Sequence, residues 1–143
     1  MFDHNKDPRV SVETLENFMF DVLTRAGVPA EDAKIVADVL ITADKFGIES
    51  HGISRLKPIY YDRIKDGILN PVTKIDVVKE GPTTAVFDGN NGMGHVIGKR
   101  AMETAIKKAK EYGMGMVAVR NSSHYGIAGY YTLMAANAGM IGI

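Results

Sequence analysis

The apolar pattern changes at Asn70-Pro71, and this change constrains the fold more than any other feature of the chain. Before it, apolar residues recur at helical spacing, which predicts amphipathic helices. After it, short segments rich in β-branched residues alternate with longer helical patterns. The sequence therefore predicts an α/β protein, with a helical domain over residues 1–69 and part of an α/β domain over residues 70–143.

The helical region is predicted to contain three helices with recognisable start and stop signals. A serine at the first N-cap can accept a hydrogen bond from a free backbone N–H, proline suits a first helical position, and glycine suits the end of a helix. The third helix is expected from just after Ser50 to Lys65, with a kink at its proline. The signal residues are Ser11, Gly27, Pro29, Gly47, Pro58 and Gly67.

The second region is predicted to mix strands and helices. Strands are expected over residues 74–78, 83–88 and 114–119, and the last is apolar enough to be buried. Helices are expected over residues 95–112 and 128–137. The lysines expected on the solvent side of the longer helix are Lys107, Lys108 and Lys110.

The chain ends within an apolar run, residues 140–143, which is expected to begin another buried strand. A buried strand needs neighbouring protein on both of its faces. We therefore expect the sequence to be the front part of a longer fold, or a subunit that needs a partner. A cooperatively unfolding 143-residue monomer would contradict that expectation.

Composition and charge argue against several classes of protein. The chain is 45% hydrophobic and 24% charged, as is usual for a globular protein. Its 17 basic and 17 acidic residues balance to a formal net charge of +0, which argues against nucleic acid as the main partner. No apolar run approaches the ~20 residues of a membrane-spanning helix, and the chain has no cysteine. We expect a cytoplasmic protein that binds neither nucleic acid nor membrane.

A cluster of polar residues, Ser50-His51-Gly52-x-x-Arg55, stands in otherwise ordinary apolar sequence. The arginine offers a planar fork that can grip a carboxylate through two hydrogen bonds. The histidine can give or take a proton near neutral pH, and the neighbouring hydroxyl can orient the ring or relay the proton. The same residues could instead be a helix N-cap, a half-exposed histidine and a solvated arginine.

A second imidazole, His124, lies between a predicted strand and a predicted helix. Loops at the carboxyl ends of strands are common ligand sites in α/β proteins. The backbone amides of Gly126 and Ala128 could meet a phosphate or a ribose there. A purely structural loop histidine is the alternative.

The glycine-rich loop of residues 89–94 follows a predicted strand and precedes a predicted helix, as a phosphate-binding turn would. Its glycine spacing misses the dinucleotide fingerprint, so the sequence favours a plain strand-to-helix turn. The histidines His51, His95 and His124 are far apart and lack paired ligand spacing. No metal site is predicted.

Three sequence elements occur together: Ala43-Asp44-x-x-Gly47-x-x-Ser50-His51-Gly52-x-x-Arg55-Leu56, Asp88-Gly89-x-x-Gly92-x-Gly94 and Asn121-Ser122-x-His124-Tyr125-Gly126. Together they resemble the type-2 malate/L-lactate dehydrogenase family, which also contains sulfolactate and ureidoglycolate dehydrogenases and a cyclic imino-acid reductase. The match begins at about residue 11 and corresponds to the N-terminal part of such proteins, which run to more than twice this length.

The resemblance implies an NAD(P)-dependent oxidoreductase with a non-Rossmann α/β cofactor domain, acting as a homodimer. Its reaction would be reversible hydride transfer between NAD(P)H and a small 2-oxo acid, giving a 2-hydroxy acid such as malate, lactate or sulfolactate. Ser50 and His51 would serve as relay and acid/base, and Arg55 would grip the substrate carboxylate. In some members the histidine that matches His124 is the proton acceptor, so the identity of the acid/base is open.

By the same resemblance, a short segment would contact the cofactor, either NAD or NADP. The second half of family members supplies further cofactor contacts and a carboxylate that partners the catalytic histidine. Two alternatives stay open: a cyclic 2-imino-acid reductase on the same scaffold, and a non-catalytic domain that only folds or dimerises. The expected cofactor contacts are His124, Tyr125, Gly126, Ile127 and Ala128.

Overall fold

The computed structural model describes residues 9–143 and shows helices followed by a small mixed sheet. The predicted α/β class is confirmed. The described helices are α1 Val12–Arg25, α2 Ala30–Lys45, α3 Asp62–Lys65, α4 Gly94–Tyr112 and α5 Ala128–Asn137, and the strands are β1 Asp76–Glu80, β2 Thr84–Asp88 and β3 Met116–Arg120. None of the helices in this part of the chain is long and apolar enough to cross a membrane.

Helices α1 and α2 begin and end near the predicted signals. The Ser11 hydroxyl accepts a hydrogen bond from the Thr14 N–H at 3.1 Å. Gly27 and Gly47 follow the two helices with φ angles of 95° and 72°, which glycine adopts without a steric penalty. The helices bury side chains that are fully removed from solvent: Met19, Leu23, Val36 and Leu40.

The prediction of one continuous third helix is wrong. Glu49–His51 and Ile53–Arg55 form two 3₁₀ turns, Leu56–Tyr61 is a π-helical segment, and only α3 is regular. Pro58 lies in the π-helical segment. Its ring and its missing N–H disrupt regular α-helical bonding at this point of the chain. The predicted stop is confirmed, since Gly67 has a φ of 71°.

The three predicted strands form one sheet in the order β1-β2-β3. β1 and β2 are antiparallel, with a bulge between Val77 and Lys79, whereas β2 and β3 are parallel. Helix α4 connects the parallel pair, and its Ala101 packs with Ala85 and Phe87 of β2. The carboxyl ends of β2 and β3 therefore lie side by side, and the loops that follow them meet at one edge of the sheet.

The prediction that the third strand is buried is wrong. β3 lies at an edge of the described sheet, four of its five residues are exposed, and Val117 packs against the small core under the sheet. An apolar run alone does not reveal how many faces of a strand are covered. Residues 140–143, expected to begin another buried strand, form none in the described structure, and Ile141 and Ile143 are exposed.

The lysines of α4 differ in their environments. Lys107 and Lys110 are exposed, as expected. Lys108 was expected in solvent but is only 9% exposed, and its Nζ donates to Glu80 Oε1 and to the Gly81 carbonyl, both at 2.8 Å. A buried cation requires such partners, so Lys108 ties α4 to the end of β1.

The helical region and α4 share a hydrophobic core. Met93 and Val96, at the start of α4, belong to the same buried cluster as Leu40 of α2 and Leu69. This shared core holds the start of α4 against α2. The domain boundary at residue 69 stays a prediction.

Candidate active site

Histidines from three distant segments come together around Tyr60. The Tyr60 hydroxyl lies 2.6 Å from Nδ1 of His124 and 3.1 Å from Nε2 of His95. The ring of His51 stacks on that of His124, with centroids 5.5 Å apart and planes at 27°. These four side chains form the histidine cluster, which joins the 3₁₀ and π-helical segments, the first turn of α4 and the loop before α5.

Ser50 and Arg55 extend the histidine cluster toward solvent. Ser50 Oγ lies 2.9 Å from Nδ1 of His51, and Arg55 Nε donates to the Ser50 carbonyl oxygen. Within residues 9–143, the terminal nitrogens of the Arg55 guanidinium make no hydrogen bond or salt bridge. Both can therefore bind a carboxylate.

Asp44 holds the turn that carries these groups. Its Oδ2 accepts a hydrogen bond from the Ile53 N–H at 2.8 Å. The same carboxylate occupies the space in which a Cβ on the buried Gly52 would lie. A side chain at position 52 would displace Asp44, so the glycine beside His51 has a direct structural cause.

Burial sets the charge of the inner groups. Tyr60 and His95 are fully buried, and burial raises the pKa of Tyr60 and lowers the pKa of His95 to about 3. The pKa of His124 is also lowered. The largest cause is burial, and the nearby charges of His51 and of two arginines act in the same direction. Since a buried charge loses its hydration, the inner part of the histidine cluster is neutral at neutral pH.

The loop that carries His124 is fixed to the start of α4. The Ser123 hydroxyl accepts from the Gly94 N–H and donates to the Gly92 carbonyl, both at 2.8 Å. A Cβ on Gly94 would collide with the carbonyl oxygens of Ser123 and His124. The glycine-rich loop thus permits a close approach of two backbone segments.

Asp88, at the end of β2, organises the adjoining loops. Its carboxylate accepts hydrogen bonds from the Asn90 N–H at 3.0 Å, the Asn121 side-chain amide at 3.0 Å and Arg120 Nε at 2.8 Å. These bonds, the Asn90 amide first, hold the pKa of Asp88 below its usual range. The carboxylate therefore stays charged and keeps the two loops together.

The segment expected to contact a cofactor leads into α5. Ala128 and Gly129 are exposed, and no side chain in the described structure caps the first turn of α5. Its free amides are therefore available as donors. Tyr125 is 44% exposed and stacks on Tyr131 at 5.2 Å, whereas the Ile127 side chain is buried, so only its backbone can face a ligand.

The four residues expected to be catalytic lie in one connected cluster. Sequence reasoning missed Tyr60 and His95 as members of it. A tyrosine within an apolar helical pattern and a histidine just after a glycine loop carry little signal on their own. The described residues contain no group of three or more His, Cys, Asp or Glu side chains that could hold a metal. The connected residues are Ser50, His51, Arg55 and His124.

The fold and the site together define a class: an α/β protein with a histidine cluster and a half-exposed arginine where a helical region meets a mixed sheet. The chain belongs to the malate/L-lactate dehydrogenase family, whose model matches residues 10–143. The resemblance drawn from the three sequence elements is confirmed.

Two relatives and one solved structure illustrate the match. The chain is 58% identical over 135 residues to a malate dehydrogenase of Pyrococcus horikoshii, covering 94% of this chain and 37% of that protein. It is 55% identical over 131 residues to an L-sulfolactate dehydrogenase of Methanocaldococcus jannaschii, covering 92% and 38%. The crystal structure of a malate dehydrogenase from Entamoeba histolytica matches with a TM-score of 0.90 at 54% identity, covering 92% and 37%. The chain thus spans less than two fifths of the length of these proteins.

Proposed function

We propose that this chain forms part of an NAD(P)-dependent oxidoreductase that interconverts a small 2-hydroxy acid and its 2-oxo acid. The observation that carries the proposal is the stacked pair His51 and His124 beside the free fork of Arg55. Such a group can grip a carboxylate and exchange a proton within one small volume. Membership of the family supports the same reaction class.

The residues have distinct roles in this proposal. Arg55 binds the substrate carboxylate, and the two imidazoles face the carbonyl or hydroxyl group beside it. Ser50 orients His51 through the 2.9 Å contact with Nδ1, which leaves Nε2 of that ring for the substrate. The histidine cluster excludes water on its inner side, because Tyr60 and His95 are fully buried.

The start of α5 fits one end of a nicotinamide cofactor. Its uncapped amides and the positive end of the helix dipole suit a phosphate or a ribose hydroxyl, and a Cβ on Gly129 would meet no atom within 4 Å. The segment from His124 to Ala128 would hold the cofactor beside the imidazoles, and the cofactor would supply the hydride. NAD and NADP are both compatible with these residues.

We further propose that the working site needs more protein than these residues, supplied by a second copy in a homodimer or by another segment. The relatives, of which the chain spans less than two fifths, support this. A cytoplasmic location belongs to the same proposal.

Turnover and binding assays test the proposed function. The chain is mixed with NADH or NADPH and with oxaloacetate, pyruvate, sulfopyruvate or a cyclic 2-imino acid, and both nicotinamide absorbance and fluorescence are followed. We expect saturable binding of a reduced cofactor, and selective turnover of a 2-oxo acid where a second copy of the chain completes the site. Binding of neither cofactor, together with no turnover of any acid, would overturn the proposal. Preference for the imino acid would favour the reductase alternative.

A further inference from the structure

The hydrogen bonds at His124 reveal where its proton lies. The Gly126 N–H donates to Nδ1 of His124 at 3.3 Å, and a ring nitrogen that accepts this bond carries no hydrogen itself. The Tyr60 hydroxyl, 2.6 Å from the same nitrogen, is then also a donor to it. The neutral ring of His124 therefore carries its hydrogen on Nε2.

His95 gives the same direction independently. Its Nδ1 is buried and has no hydrogen-bond partner within the described residues. If Tyr60 donated to His95 Nε2, that buried Nδ1 would carry an unpaired N–H, and orphaned buried donors are rarer than orphaned acceptors. The favoured chain therefore runs from the Nε2–H of His95 to the Tyr60 oxygen, and from the Tyr60 hydroxyl to Nδ1 of His124.

We propose that Tyr60 and His95 are positioning residues that hold His124 as a neutral imidazole with its proton on Nε2. In this arrangement His124 donates a hydrogen bond to the substrate oxygen, while His51 exchanges the proton. The assignment to a substrate rests on the proposed function, whereas the tautomer depends only on the hydrogen bonds within the chain.

The surroundings of His124 act in the same direction. The groups that shift its pKa are the stacked His51 and the two arginines Arg55 and Arg63, after burial itself. Tyr60 and His95 also lie close to His124, and neither is an anion at neutral pH. Adding a proton to Nδ1 would break the bond from the Gly126 N–H and would turn the Tyr60 hydroxyl from donor to acceptor. A buried hydrogen, on the Tyr60 oxygen or on His95 Nδ1, would then have no acceptor within the described residues.

The division of roles balances the reaction. In the reducing direction the carbonyl carbon gains a hydride, its π electrons move to oxygen, and that oxygen needs one proton. The imidazolium of His51 releases this proton and becomes neutral, and solvent restores it. His124 keeps its own hydrogen and stabilises the developing negative charge by a fixed N–H donor.

Ring-nitrogen NMR of labelled histidine tests the tautomer without any need for turnover. The chain has four histidines, so signals can be assigned by replacing them singly. In the parent protein above the pKa of His124, we expect Nδ1 to give the shift of an unprotonated nitrogen and Nε2 that of a protonated one. An Nδ1–H signal at His124 would overturn the proposal.

Substitutions then test the positioning role. Tyr60→Phe removes only the hydroxyl, and we expect the pKa of His124 to rise by roughly 0.5 to 1 unit, the equivalent of one hydrogen bond. His95→Gln keeps an N–H donor for Tyr60, so in this variant the pKa and the tautomer of His124 should stay as in the parent protein. An unchanged pKa in Tyr60→Phe, with the fold intact by amide spectra, would contradict the proposal.

Tyr131→Phe is the matched control for the NMR experiment. Tyr131 is also buried, and its hydroxyl donates to the Tyr125 carbonyl at 2.5 Å rather than to a histidine. We expect no change in the tautomer of His124. A shift as large as that in Tyr60→Phe would assign the effect to general loosening of the core and would overturn the positioning role. Loss of turnover with the tautomer intact would count only against the proposed function.

Discussion

The outer and inner halves of the site differ in exposure and in how their polar atoms are held. The outer half, Ser50, His51 and Arg55, lies on short 3₁₀ turns, and part of its hydrogen-bonding capacity is free. The inner half, Tyr60 and His95, is fully buried and linked by one hydrogen bond. The outer half is therefore suited to bind a ligand, whereas the inner half fixes geometry and stays neutral. His124 lies between the two halves and contacts both.

Gly126→Ala should have the largest effect, because it disturbs the inner half. Gly126 has a φ of 80°, and a Cβ there would lie 2.7 Å from Val39 Cγ1 and 3.1 Å from the His95 ring. Left-handed strain and overpacking together should lower the free energy of unfolding by about 2–4 kcal/mol, measured by urea titration. Gly139→Ala is the control, since Gly139 has a φ of 76° and open space around it. Equal losses in both variants would contradict tight packing at the inner half.

Arg55→Lys should have the next largest effect, on function rather than on stability. Lysine lacks the planar fork, so loss of one charge-assisted hydrogen bond should cost about 1.5–3 kcal/mol. Steady-state kinetics, or substrate affinity where turnover is slow, should show kcat/KM or binding weaker by roughly 10- to 150-fold. Arg100→Lys is the matched control, because Arg100 is exposed and pairs with Glu103. Similar losses in the two variants would show that Arg55 is only a surface charge.

The pH dependence of stability should report the buried state of His95. Its folded pKa of about 3 lies below the unfolded value of about 6.5, so the unfolded state binds the proton first. Stability is therefore full above pH ~6.5 and falls as the pH drops toward 3, with a slope of up to about 1.4 kcal/mol per pH unit. His95→Gln should flatten that slope. Denaturant titrations at several pH values measure this slope. An unchanged slope in His95→Gln would show that a group other than His95 binds the proton on unfolding.

Ser50→Ala should have the smallest effect on stability. Ser50 is exposed, and its hydroxyl contacts only the His51 ring among the described side chains. The free energy of unfolding should change by less than about 0.5 kcal/mol. The ring of His51 should become less well oriented, and kcat should fall. A stability loss comparable with that of Gly126→Ala would remove the distinction between the two halves.

Local features of the fold could be predicted because they depend on neighbouring residues. The Ser11 cap and the turns at Gly27 and Gly47 follow from hydrogen bonding and backbone freedom within a few positions. The sequence also predicts the three strands, with bounds that lie within two residues of the observed ones. The exposure of β3 was not, since it depends on which elements cover each face of the sheet.

The outer half of the site could be predicted and the inner half could not. Ser50, His51 and Arg55 are adjacent in sequence, so their combined chemistry is visible in the chain itself. Tyr60 lies 35 positions from His95 and 64 from His124, and only tertiary packing brings these three together. The π-helical segment that places Tyr60 inward is likewise not visible in the sequence, which predicts an ordinary helix with a kink at Pro58.

A ligand titration followed by histidine ring-nitrogen NMR tests whether His51, His124 and Arg55 together bind a 2-oxo acid. Oxaloacetate is added to the labelled chain with NADH present, in parallel with the Arg55→Lys variant. We expect saturable shifts of the His51 and His124 signals, reached at a concentration at least tenfold higher in the variant. Absence of shifts at both histidines, or identical curves for the two proteins, would contradict a carboxylate-binding acid/base site here.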